Sequence, residues 1–63
     1  MKIGQNIRRI RREKGMTQWQ LSNAVGVTSG KIILIERGSV VCSADLLRKI
    51  ATTLEVPEQA LKQ

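Results

Sequence analysis

Residues 17–37, TQWQLSNAVGVTSGKIILIER, constrain the fold more than any other stretch, because two helix starts and a turn are written into them. Thr17 carries the side-chain oxygen that caps a helix, and Gln20 three places on completes the reciprocal pattern that satisfies orphan amides at a helix start. Leu21, Ala24 and Val25 then recur at threefold and fourfold spacing, which predicts one buried face, with Gln18, Gln20 and Asn23 pointing elsewhere. Gly26 tolerates the positive φ that closes a helix, Val27 returns to the core, and Thr28 caps the next helix. In that second helix Ile32 and Ile35 form the inward stripe, Glu36 follows, and Gly38 stops it. Thr28, Ser29, Gly30, Lys31, Ile33, Leu34 and Arg37 are left to face outward, so the helix projects as a ridge.

The flanking segments extend the same periodicity. The first helix is expected from about Ile3 to Lys14, with Ile3, Ile7 and Ile10 inward and Gly15 ending it. Met16 precedes the Thr17 cap and can staple onto Leu21. Ser43 caps a fourth helix with Asp45 in its first turn, where the helix dipole favours an anion, and Leu47, Ile50, Ala51 and Leu54 as its stripe. Leu46 falls off that stripe and reads as an interface residue. Val56 and Pro57 mark a break, with the proline expected at the first position of a closing helix through about Leu61. Strand-like alternation is absent, and 63 residues allow one domain, spanning 1–63, either whole or the N-terminal part of a longer protein. The fold class predicted is all-α, a compact five-helix bundle with the helix pair at about 18–37.

Charge is distributed unevenly. Residues 1–16 hold Lys2, Arg8, Arg9, Arg11, Arg12 and Lys14 against Glu13 alone, a net of +5 out of the total of +6. A basic helix in an arbitrary sequence is most often a solvated face; next to a projecting helix it suits a polyanionic partner. No cofactor, metal or small-molecule ligand is expected: the chain has no histidine, and its five carboxylates are scattered. Enzymatic activity is not expected either. The single Cys42 reads as a small apolar filler with no basic neighbour in sequence to activate it, which suits a reducing, cytoplasmic setting. No apolar run is long enough for a membrane span, and the apolar stripes needed by a membrane-active peptide are claimed by the bundle core.

A helix pair joined by such a turn is the helix-turn-helix, whose second helix fits the major groove of DNA. The chain resembles the lambda-repressor and Cro class, also called the xenobiotic-response-element class, through T-Q-x-x-L, A-V-G-V-[ST] and I-x-x-I-E-R-G, and through flanks IGQNIRRIRREKGMTQ and LLRKIATTLEVPEQAL. Nearly the whole chain is covered. The resemblance implies an ion pair between Arg11 and Glu36, a structural role for Gly26, and base-reading positions at Thr28, Ser29, Gly30, Lys31 and Leu34. It implies that Gln18 donates to the DNA backbone, and Thr17, Arg12, Arg37, Ser39 and Ser43 complete the expected phosphate contacts. In relatives the loop after the reading helix and the last helix lie at a dimer interface, which gives Val40, Val41 and Leu61 to self-association.

Several positions depart from the family. Ser29 stands where glutamine is common, Gly30 has no side chain, and Lys31 is the only long cation on the reading face, meeting either phosphate or guanine. Ser22 replaces the usual alanine and is expected to back-bond to the Gln18 carbonyl. Trp19, where a polar residue is usual, either lies along a sugar-phosphate strand or, as we favour, covers neighbouring side chains. The function expected is a prokaryotic or phage regulator that binds double-stranded DNA as a homodimer, a repressor. The alternative is a helix-turn-helix module of antitoxin or anti-repressor type that gives the apolar outer face, Ile33 and Leu34, to a protein partner.

Overall fold

The computed structural model describes residues 2–63. Among them lie five helices and no strand: α1 Ile3–Glu13, α2 Gln18–Val25, α3 Ser29–Glu36, α4 Ala44–Leu54 and α5 Glu58–Lys62. The all-α, five-helix expectation is met. α2 packs on α3 and on α4, while α1 crosses α3 and lies against α5. No helix among the described residues is long and apolar enough to cross a membrane.

Local sequence sets most helix ends. Thr17 Oγ1 accepts from the Gln20 amide at 3.0 Å, and Gln20 Oε1 accepts from the Thr17 amide at 2.8 Å, which closes the capping box. Ser43 accepts from the Leu46 amide at 3.2 Å and starts α4 in the same manner. Pro57 is at the N-cap rather than inside α5, with φ −69° and ψ 152°, so its ring fixes the entry to the helix without removing a needed donor.

The core is built from Ile7, Leu21, Ile32, Ile50, Leu54 and Leu61, all fully buried, with Ile10, Val25, Ile35, Leu46, Leu47 and Ala51 around them. Two expectations fail here. Ala24 is exposed, because the face that α2 turns inward runs through Leu21, Ser22 and Val25. Leu46 is buried rather than held for an interface, because α4 is packed by α1, α2 and α5 and so hides a wider arc than one stripe.

Two contacts at α1 position the site. Gly4 meets the C-terminal end of α3 so closely that an added Cβ would press into the Ile35 carbonyl oxygen and stand 3.0 Å from that of Glu36. Buried Asn6 uses its side-chain amide to donate to the carbonyls of Leu61, at 3.0 Å, and Gln63, at 2.7 Å. These oxygens at the end of α5 would otherwise lack partners.

Candidate nucleic-acid interface

The α2 and α3 helices are joined by the turn that the sequence requires. Gly26 has φ 78°, a left-handed conformation costly for a residue with a Cβ, and the Val27 amide donates back to the Ser22 carbonyl at 3.0 Å. Thr28 accepts from the Lys31 amide at 3.2 Å and starts α3. The inner face of α3 is fixed by Ile32, Ile35 and Glu36, all buried. Its outer face presents Thr28, Gly30, Lys31 and Leu34, with Arg37 at its end; Ser29 and Ile33 are half-buried at its margins. Leu34 is 40% exposed and so is open to contact from outside the bundle. Eight residues make a rod about 12 Å long, comparable with the width of a DNA major groove.

A buried polar cluster holds this rod to the other helices. Arg11 and Glu36 are each only 6% exposed. Arg11 Nε donates to Glu36 Oε2 at 2.7 Å and Nη2 to Oε1 at 3.0 Å, a two-pronged pair, while Nη1 donates to the Met16 carbonyl at 2.8 Å. Gln18 Nε2 donates to Glu36 Oε1 at 3.0 Å. The ion pair is thus the one the family resemblance implies, and it gathers α1, α2 and α3 at one point. Gln18, expected to face phosphate, has one amide proton engaged with Glu36 and one left over.

The remaining expected residues divide in three. Arg12, Thr17, Arg37, Ser39 and Ser43 are exposed, and Arg12 lies with Gln5, Arg8, Arg9 and Glu13 along a groove that runs to Glu36. Val40 is half-buried against the core and Val41 is 90% exposed. Leu61 is a correction: it is fully buried within the chain, where Asn6 also ties down its carbonyl, so it has no side-chain surface for a second copy.

Ser22 donates to the Trp19 carbonyl at 2.8 Å rather than to that of Gln18, the bond three residues back instead of four, and its oxygen lies 3.2 Å from Ser29 Oγ. Trp19 itself is 64% exposed. Cys42 is half-buried, and burial pushes its thiol up against a smaller opposing pull from the Lys31 charge, which agrees with a filler and not with an activated thiolate. Sequence reasoning missed Gly4, Asn6 and the serine pair. Gly4 alone carried a signal, since a glycine inside a helical pattern commonly marks close packing.

The family profile of the helix-turn-helix domain matches residues 4–63. No curated protein sequence matches the chain. Among solved structures, the chain is similar to the restriction-modification controller protein C.AhdI from Aeromonas hydrophila, at 32% identity and TM-score 0.91, covering 95% of this chain and 91% of that one. It is similar to the master regulator for biofilm formation SinR, solved in complex with DNA, at 32% identity and TM-score 0.90, covering 97% and 98% of the two chains. Bacillus thuringiensis PlcR, solved with the peptide PapR7 and DNA, matches at 36% identity and TM-score 0.87 over 97% of this chain but 21% of its own.

Proposed function

Because the chain belongs to the helix-turn-helix domain family, in its lambda-repressor-like, xenobiotic-response-element branch, we propose that it binds operator DNA as a homodimer and represses transcription in the cytoplasm. Residues 1–63 act as the DNA-binding domain. In this reading α3 enters the major groove with Thr28, Ser29, Gly30, Lys31 and Leu34 toward base edges, while Arg12, Thr17, Gln18, Arg37, Ser39 and Ser43 meet phosphates. Two copies joined through Val40 and Val41 place their reading helices about 34 to 36 Å apart on a pseudo-palindromic site. The observation that carries the proposal is the division of α3: Ile32, Ile35 and Glu36 are locked inward, while Thr28, Gly30, Lys31 and Leu34 are left open to solvent.

A salt series on duplex DNA, followed by fluorescence anisotropy of a labelled duplex, tests it. Arg12 and Arg37 supply two phosphate-directed cations per chain, so a dimer releases about four counterions and its affinity falls roughly 150-fold between 50 and 200 mM salt. Absence of binding at low salt overturns the proposal.

A further inference from the structure

The hydrogen bonds of Ser22 and Ser29 have a direction that follows from counting protons. Ser22 Oγ lies 2.8 Å from the Trp19 carbonyl oxygen, which can only accept, so the single hydroxyl proton of Ser22 is committed there. The same oxygen lies 3.2 Å from Ser29 Oγ. With its proton engaged, Ser22 can only accept in that contact, and Ser29 must donate. The one proton of Ser29 is consumed in turn, and its oxygen keeps lone pairs alone for anything that approaches α3 from outside. Thr28, one residue earlier, has the opposite character: its oxygen accepts from the Lys31 amide, and its proton stays free to donate.

Resting on the proposal that α3 enters the major groove, we infer that Ser29 is a specificity-determining residue acting as a hydrogen-bond acceptor only. It selects a base with an exocyclic amino group in that groove, adenine or cytosine, over guanine or thymine. Adenine offers the N6 amino group and cytosine the N4 amino group. Guanine offers N7 and O6 and thymine O4, all acceptors that would face the Ser29 oxygen lone pair to lone pair. An unconstrained serine gives and takes equally well and discriminates little. The constraint comes from Ser22, a buried positioning residue that fixes the sense of the Ser29 hydroxyl from the rear without reaching DNA. One neutral hydrogen bond gained or lost corresponds to about a fivefold preference.

The test is selection from a random duplex pool, read by sequencing, with the unmodified protein, Ser29→Ala and Ser22→Ala in parallel. The position read by Ser29 is the one whose preference Ser29→Ala removes. Each base pair holds one amino-bearing base, so deleting that amino group at the selected position, with purine for adenine or pyrimidin-2-one for cytosine, is expected to weaken the unmodified protein about fivefold more than Ser29→Ala. Ser22→Ala releases the Ser29 proton, so the preference at that position flattens while the others persist, an effect that a purely structural role for Ser22 would not confine to one base. If no protein enriches any duplex, the DNA-reading proposal fails and this inference with it. If sites are enriched but Ser29→Ala alters no position, or deleting the amino group weakens the unmodified protein and Ser29→Ala alike, or Ser22→Ala keeps the preference, the acceptor assignment alone falls. Ser29 is only half-buried, so Ser29→Ala and the amino-group deletion decide the matter even where Ser22→Ala does not fold.

Discussion

Removing Arg11 should be close to the largest single-residue loss this chain can suffer. Arg11 and Glu36 are each 6% exposed, and Glu36 accepts two bonds from Arg11 and one from Gln18. In Arg11→Ala the Glu36 carboxylate is left in the interior with the Gln18 amide as its remaining side-chain partner, and stranding a buried charge costs roughly 3 to 5 kcal/mol. A chain of this length has about 3 to 9 kcal/mol of total stability, so the variant retains about 6 kcal/mol at most and at the lower end is unfolded. Urea denaturation followed by helical circular dichroism measures the change. With a slope near 1 kcal/mol per molar urea for so small a domain, the midpoint should fall by about 3 to 5 M or the variant should start unfolded. Replacing both partners, Arg11→Met with Glu36→Leu, removes the two charges together and should recover most of the loss, since Gln18 and Met16 are half-buried and water can reach them. A midpoint shift under about 1 M for Arg11→Ala, or a double variant as unstable as the sum of the singles, would refute the reasoning.

Three further outcomes are expected. Gly4→Ala should destabilise by about 1 to 3 kcal/mol in thermal or urea unfolding, because its Cβ meets the backbone of Ile35 and Glu36; helix propensity alone predicts a gain of about 1 kcal/mol, so the sign decides. Asn6→Ala should cost about 1 to 3 kcal/mol and raise amide exchange selectively in α5, whose terminal carbonyls it holds. Lys31→Ala should weaken binding to all duplexes alike and reduce the salt slope by about 1 if Lys31 meets phosphate, or change base preference at one position if it meets guanine; unchanged affinity and preference would remove Lys31 from the contact set.

The sequence showed the fold where local chemistry decides it. Thr17, Gln20, Gly26, Thr28 and Ser43 announce caps and a turn through their own side chains, and the isoleucine and leucine spacing announces which helix faces are buried. It showed the Arg11–Glu36 pair through the family resemblance. What stayed hidden depends on tertiary geometry. Ala24 and Ala51 look alike in a periodic pattern, yet only the packing of α2 turns Ala24 outward. Leu46 lies off a single stripe and Leu61 on a helix that the resemblance places at an interface, yet both are buried because α4 packs on α1, α2 and α5, and α5 on α1 and α4. Asn6 gains its role from a carbonyl 55 residues away. The serine pair arises only because the Gly26 turn brings the second turn of α2 beside the start of α3.

The most direct measurement is amide chemical-shift mapping of the labelled chain with an unlabelled duplex at low salt. Perturbations concentrated at residues 28–34 and at Thr17 and Gln18 are predicted, with α4 and α5 little changed. Shifts confined to α4, α5 or the 40–42 loop, with α3 silent, would contradict the claim that the outer face of α3 is the surface that meets DNA.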